Sequence, residues 1–502
     1  RQAHPDIPIL MGGGFVNTEL RSITDTRFFK YIDYLLLDDG EDPLFQVLRY
    51  LDGAIQKEEL VRTFSLDENG SRVVYQDNPA YPACRQSETG FPDYEGLPLD
   101  KYISVMEMAN PMHKLWSDGR WNKLTLAHGC YWGKCAFCDG SLDYIKRYEP
   151  NTAKTLVDRM ERLIEQTGEI GFHFVDEAAP PALLREMAQE IIRRGITVVW
   201  WGNIRFEKSY TEELCDLLQR SGCIAVSGGL EVASPRLLKL INKGVTVAQV
   251  ARVANNFTGA GIMVHAYLMY GFPTQTAQET IDSLETVRQM FELGLIQSGF
   301  WHRFAMTAHS PVGLHPAEYS CRVTEPPFGG FARNDVQFEA LSGCDPELFS
   351  EGLRVSLYNY MNGTGFDLPL HKWFGGMKVP RKSLPHPPAI AAGCFKVLPT
   401  PSARLAEYLI TDLAPHEITS RNSRAIDIPG IPMRSLVEII LIGVEDILYS
   451  GVHLQGCGLE DREVVRQLQV QVEEITSLLL TILGNVTRQV LHQHAARIGS
   501  RQ

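Results

Sequence analysis

Three cysteines, Cys130, Cys135 and Cys138, stand in a C-x4-C-x2-C arrangement directly after the short apolar run Lys123-Leu124-Thr125-Leu126-Ala127. Three thiolates on one short loop can grip one face of an iron-sulfur cluster or a zinc ion, because both prefer sulfur ligands. The fourth ligand position separates the two. A structural zinc needs four protein ligands, and the chain has no second C-x2-C and no cysteine or histidine pair at finger spacing. The spacing favours a cluster with one open corner. A Cys3His zinc site completed by His128, in a zinc-stapled α/β binding protein, stays open as the alternative.

The elements that must carry this loop follow a repeating pattern. Apolar residues recur at helical spacing through Leu156, Val157, Met160, Leu163 and Ile164, and Gly168 ends that helix before a strand over residues 170–175. The cycle then repeats: helix 181–194, strand 196–200, helix 211–220, strand 224–227, helices within 235–256, strand 262–269, helix 277–293 and strand 296–303. About six βα units in series predict an α/β fold built on a parallel (βα) barrel, partial or complete. In such barrels the chemistry gathers at the carboxyl ends of the strands. The cysteine loop sits at the first such end, Asp176 and Glu177 at the second, Asn203 and Arg205 at the third, Glu231 at the fourth and Gly271 at the fifth. His173 and His265 fall inside strands, where a core role is expected and not a metal.

Ahead of the barrel, apolar strands at residues 7–11 and 34–37 end at Gly12-Gly13-Gly14 and at Asp38-Asp39-Gly40-Glu41. Each is followed by a helical pattern, which predicts part of a flavodoxin-like α/β domain over 1–53 with a ligand-accessible glycine turn. Residues 54–120 read as a connector, 121–310 as the barrel, and 311–388 as a barrel extension and linker. Residues 389–502 read as a mainly helical C-terminal module, with one apolar stripe from Val464 to Val486. Cys84 reads as a lone core filler, and Cys394 and Cys457 lack the companions a second cluster would need.

Composition narrows the function classes. With 48 basic against 60 acidic side chains the net charge is -12, which argues against a phosphate-tracking surface and so against nucleic acid as a partner. The ten cysteines are scattered apart from the trio, unlike a secreted disulfide framework, so a reducing cytoplasmic setting is expected. The longest apolar run, 436–448, is broken by Glu438, Glu445 and Asp446, and no membrane span is expected.

A strand followed by C-x4-C-x2-C, with Phe137 just before the third cysteine and βα units behind it, resembles the radical S-adenosylmethionine enzymes. The usual pattern there has three residues between the first two cysteines, and this chain has four. Phe172 to Glu177, Gly229 to Ser234 with Leu238 to Thr246 behind it, and Leu268 to Thr274 resemble later strands of that family in the right order. The resemblance implies that Cys130, Cys135 and Cys138 hold a [4Fe-4S] cluster whose open iron takes S-adenosylmethionine, yielding a deoxyadenosyl radical. It implies Asp176 or Glu177 for the methionine ammonium and Glu231 for the ribose or amino-acid part. It places the adenine near Phe137 and Gly271, and the carboxylate at Arg205. Met11 to Gly14 and Asp39 to Leu44 resemble the second half of a cobalamin-binding domain, which implies cobalamin near Gly12, Gly13 and Gly14. The earlier half of such a domain, which in many relatives supplies a histidine beneath cobalt, is absent from the sequence. The implied reaction is cobalamin-associated methyl transfer to carbon of a small molecule or peptide, fed by an electron donor such as flavodoxin or ferredoxin. The nearest alternative is radical cyclisation, epimerisation or oxidation without cobalamin.

Overall fold

The computed structural model describes residues 4–101, 121–324 and 330–385, all within the first of the chain's two units, Arg1–Leu398. The expected C-terminal helical module, its apolar stripe, the 436–448 run, Cys394 and Cys457 lie outside the described residues.

At the amino-terminal end Leu10–Met11 (β1) and Tyr34–Leu36 (β2) pair in parallel, Leu10 opposite Tyr34. Thr63–Leu66 (β3) and Val73–Gln76 (β4) then add two antiparallel strands, in the segment read from the sequence as a connector. Side chains alternate across the sheet: Leu35 and Leu37 bury with Val16 and Leu20, while Leu36 buries with Val47 and Leu60.

The second sheet positions the cysteines. It consists of Asn122–Leu124 (β5), Gly171–Phe174 (β8), Val199–Ile204 (β9), Cys223–Glu231 (β10), Met263–Tyr270 (β11) and Ser298–Arg303 (β12). Between β5 and β8 a short antiparallel pair, Ala127–His128 (β6) and Glu149–Pro150 (β7), frames the cysteine loop. The six main strands run in the order β5-β8-β9-β10-β11-β12, each parallel to its neighbour. Strands β5 and β12 form the two edges, so of the partial and complete barrels expected the partial one is realised.

Local sequence explains the repetition. Threonine caps the amino terminus of the helices Ala153–Thr167, Glu212–Arg220, Val247–Gly259 and Ala277–Glu292. In each, the side chain of Thr152, Thr211, Thr246 or Thr276 accepts a backbone N–H that the helix cannot otherwise satisfy. Glycine closes the helices Ala153–Thr167 and Pro181–Arg194 in the left-handed conformation, at Gly168 and Gly195. These helices cover one face of the sheet, where Phe172, Phe174, Trp200, Ile204, Val226, Val264 and Leu268 form the main core.

Two strand boundaries differ from expectation for the same reason. The third strand runs to Ile204 instead of stopping at residue 200, and the fourth to Glu231 instead of residue 227. Gly202 and Gly228 lie just past the expected strand ends, but both meet packed neighbours: a Cβ on Gly202 would lie 3.1 Å from Phe174 Cβ, and one on Gly228 2.7 Å from the Phe206 ring. His173 stacks on Trp201 with centroids 3.6 Å apart, and His265 Nδ1 lies 2.6 Å from Ser298 Oγ. Both histidines are bound within the sheet, as expected. No helix among the described residues is long and apolar enough to cross a membrane.

Phe174 is fully buried at the contact between sheet and helices. Replacing it, Phe174→Ala, is expected to lower the unfolding free energy by about 3–5 kcal/mol, read from the denaturation midpoint at unchanged slope.

Candidate functional site

The cysteine loop leaves the sheet at Leu126 and Ala127, whose backbone N–H groups donate to Asp176 Oδ2 and Oδ1 at 2.9 and 2.8 Å. Asp176 is 2% exposed, and burial raises its pKa to about 6 against the pull of those two donors. Its carboxylate therefore anchors the chain just before the cysteines. Glu177, the next residue, has no hydrogen-bond or ion-pair partner among the described residues. It is exposed, and partial desolvation by the surrounding atoms and then the charge of Asp139 raise its pKa.

After Ala127 the loop is clamped along its length. Gly129 passes so close to the strand-like return that a Cβ would sit 2.0 Å from Arg147 O, and its φ of 72° is one that glycine tolerates. Cys130 N–H donates to Ile145 O at 3.0 Å. Ala136, between the second and third cysteines, donates to Ile241 O at 2.9 Å and accepts from Val312 N–H at 3.1 Å. Segments following β10 and β12 thus hold a loop that follows β5. Asp139 extends the clamp: Tyr144 donates to its Oδ2 at 3.0 Å and Thr307 to its Oδ1.

The four residues between Cys130 and Cys135 have defined places. Tyr131 OH donates to Glu207 Oε1 at 3.4 Å, and Trp132 Nε1 donates to Asn242 O at 2.9 Å. The Trp132 ring lies against Gly244, where a Cβ would come within 2.3 Å, and the Arg205 guanidinium stacks 4.5 Å from its centroid.

Two buried cations meet the middle cysteine. Arg205, 4% exposed, has Nη1 3.9 Å from Cys135 Sγ, Nε 3.0 Å from Glu207 Oε1 and Nη2 2.5 Å from Lys243 O. Lys243, 8% exposed, pairs with Glu231 at 2.7 Å and lies 5.5 Å from the Phe137 ring centroid. Glu231 closes β10 at a register shift, with φ at 61°. The thiol of Cys138 donates to Cys135, and with Lys243 and Arg205 beside it the Cys135 pKa falls while that of Cys138 rises. Three sulfurs on one clamped loop, backed by buried positive charge and free of disulfides, fit the anionic thiolates that a cluster requires.

A second network joins the loop frame to the first sheet. His128 Nδ1 lies 3.3 Å from Asp39 Oδ1 and its Nε2 3.1 Å from Asp143 Oδ2. Arg147 pairs with Asp39, Asp143 and Glu149 in the same cluster. Both ring nitrogens of His128 are engaged by carboxylates and not by the cysteines, which weighs against a Cys3His zinc.

The structure therefore brings together Cys130, Cys135, Cys138, Phe137, Arg205 and Glu231, with Asp176 beneath and Glu177 beside them. Gly271 closes β11 on the same edge, where a Cβ would meet Pro346 at 2.7 Å. Gly12, Gly13 and Gly14 lie at the carboxyl end of β1, with open space around the Cβ positions of Gly13 and Gly14. The resemblance implies Arg205 for the carboxylate and Asp176 or Glu177 for the ammonium; in this structure Arg205 is bonded to Glu207 and the Lys243 carbonyl, and Asp176 to two backbone N–H groups. Sequence reasoning did not single out Lys243, Asp139 or the Arg147 cluster as site residues. The position of Asp139 directly after Cys138 was the one local signal for any of them.

An open parallel sheet bearing a clamped three-cysteine loop at its first carboxyl end defines a cluster-binding α/β domain. Residues 124–287 match the family described as the Radical SAM superfamily; that family uses a [4Fe-4S] cluster and S-adenosylmethionine. Among its relatives, an uncharacterized methyltransferase of Pyrococcus horikoshii is 24% identical over 230 residues, covering 45% of this chain and 46% of that protein. The cytidylyl-2-hydroxyethylphosphonate methyltransferase of Streptomyces wedmorensis is 22% identical over 280 residues, 51% of each chain. The chain thus spans about half the length of the curated relatives it matches. The fold is similar to that of TsrM from Kitasatospora setae, a radical S-adenosylmethionine methyltransferase solved with cobalamin and a [4Fe-4S] cluster, at a TM-score of 0.51 and 18% identity, covering 71% of this chain and 72% of that one.

Two outcomes follow from the buried charges. Lys243→Met leaves Glu231 buried without its cation and should cost about 3–5 kcal/mol of stability, most of it recovered in Lys243→Met/Glu231→Leu, by denaturant titration. For Asp176, a native pKa of about 6 against about 4 in the unfolded chain means that protonation stabilises the fold. That contribution is complete below pH ~4 and lost as pH rises through about 6. The stability of the protein relative to Asp176→Asn should fall across that window, by up to about 3 kcal/mol.

Proposed function

We propose that the protein is a radical S-adenosylmethionine methyltransferase that modifies carbon in a small molecule or peptide, with cobalamin as methyl carrier. The observation that carries the reading is the loop of Cys130, Cys135 and Cys138, clamped at the carboxyl end of the first strand with Arg205 and Lys243 buried beside Cys135. The relatives' methyltransferase names and the cobalamin in the TsrM structure support the methyl-transfer half of it. The open glycine turn at Gly12, Gly13 and Gly14 supports a cobalamin edge, since a bulky ring can approach the backbone there.

When bound, the cluster supplies the electron that splits the S-adenosylmethionine sulfonium, and cobalamin supplies a transferable methyl group. The chain's own residues bind and orient. The three cysteines hold the cluster through its protein-bound irons. Glu177, an acid without a partner among the described residues, receives the methionine ammonium, while Asp176 keeps the loop in register from below. Glu231, aligned by Lys243, offers its second oxygen to the ribose or amino-acid part. Backbone near Phe137 and Gly271 meets the adenine. Arg205 and Lys243 offset the negative charge of the thiolates. The electron comes from a small reductant such as flavodoxin or ferredoxin, and the setting is the reducing cytoplasm.

Anaerobic reconstitution with iron and sulfide should give a brown protein with four irons per chain on the family's cluster stoichiometry. It should cleave S-adenosylmethionine, and Cys130→Ala, Cys135→Ala and Cys138→Ala should each abolish that cleavage with the circular dichroism preserved. A colourless protein holding one zinc would defeat the reading.

A further inference from the structure

We infer that the uncovered face of the six-stranded sheet receives an aromatic ring of the substrate. The inference rests on the proposed radical chemistry only for what happens to that ring, not for its binding. The two faces of this sheet differ in kind. Toward the helices the strands present Phe172, Trp200, Ile204, Val226, Val264 and Leu268, an ordinary mixed apolar core. Toward the other side the alternate positions carry six rings, His173, Trp201, His265, Tyr267, Phe300 and His302, set among Asn203, Ala225, Ser227, Met263, Met269 and Ser298, with His265 itself buried.

These rings form two contiguous groups. His173 and Trp201 stack face to face, 3.6 Å between centroids and 8° between planes. Across β11 and β12, His265 and Tyr267 lie 5.0 Å apart, Tyr267 and His302 6.1 Å, and Phe300 and His302 4.6 Å. The Tyr267 hydroxyl reaches Asn203 Oδ1 at 3.3 Å, between the groups. Phe300 is 50% exposed, a large ring left half uncovered on the open side of the sheet.

This face carries little formal charge, with the carboxylates of Glu177 and Glu231 felt from the strand ends. Burial pushes the His173 pKa to about 3 and lowers that of His302, so both imidazoles are neutral near pH 7. Lys123 is the one cation on these strand positions, and its ammonium lies 2.8 Å from His173 Nδ1. A phosphate or carboxylate drawn out of water needs a guanidinium fork or paired cations, and Arg205 is committed beside Cys135. Ala225, Met263 and Met269 apart, most aliphatic side chains of these strands lie on the helix-covered face, out of a ligand's reach. Rings with polar tips favour a flat π-system bearing one or two uncharged hydrogen-bonding groups, through stacking and edge-to-face contacts.

The test uses the full chain without loaded cluster, so that a failure of reconstitution cannot mask it and its own failure leaves the cysteine assignment standing. Saturation-transfer NMR is recorded with indole, cyclohexanol and methylphosphonate as separate probes. Indole should receive saturation roughly three- to tenfold more strongly than cyclohexanol, with methylphosphonate at background. Phe300→Ala, at a half-exposed position that the fold tolerates, and Tyr267→Leu should each reduce the indole signal by a similar factor, with unchanged circular dichroism. Equal transfer to cyclohexanol, preferential transfer to methylphosphonate, or an indole signal that survives both replacements would overturn the inference.

Discussion

Burying two cations beside a thiol is costly unless each is matched, and much of the site's architecture can be traced to how Arg205 and Lys243 are matched. Arg205 is held by Glu207, the Lys243 carbonyl and the Trp132 face; Lys243 is held by Glu231. Glu231 reaches Lys243 from a strand end in the left-handed region, against Gly229, where a Cβ would fall 2.0 Å from Glu231 Oε1. Trp132 in turn needs Gly244 bare. Within the four-residue stretch between Cys130 and Cys135, Tyr131 reaches Glu207 and Trp132 reaches Asn242.

A second consequence is that the first strand's loop is built by the last strands. Ala136 is bonded on one side by the segment after β10 and on the other by the helix following β12, and Asp139 is bonded by Thr307. The sheet is open between β5 and β12, yet the loops at its carboxyl end close over that gap. Such contacts span more than a hundred residues, so the cysteines reach their places only when the whole series of βα units has formed.

That long range explains what the sequence could and could not disclose. The βα repetition was legible because the helices announce themselves locally, four by a threonine cap, two by a closing glycine, and most by an apolar stripe. The cysteines were legible from spacing alone. Strand ends at Gly202 and Gly228 were misjudged, since a glycine demanded by a packed phenylalanine looks the same in sequence as one demanded by a turn. Position was recoverable for Asp176, Glu177, Arg205 and Glu231, but orientation was not: whether a carboxylate turns to backbone amides or to a cavity depends on residues distant in the chain. Lys243 and the Arg147 cluster were invisible as site residues for that reason.

The same logic separates two kinds of recognition within one sheet. The carboxyl end gathers formal charge, with Asp176, Glu177, Arg205, Glu231 and Lys243 around three thiols, and suits an amino-acid-bearing cofactor with charged ends. The wall below is ring-lined and carries Lys123 as its one cation among the described residues, with imidazoles whose pKa burial lowers. Charged groups are strongly held where they are paired and weakly tolerated where they are not. A charged cofactor and a neutral ring would therefore sort themselves to different depths of the same cleft, without any lid or gate to direct them. The Asp39, His128, Asp143 and Arg147 cluster adds the third direction, tying the β2 loop of the first sheet to the frame of the cysteine loop. A ligand at Gly12 to Gly14 and a cluster at the cysteines would share that one rigid frame, and methyl transfer between two cofactors requires such fixed placement more than it requires any further catalytic side chain.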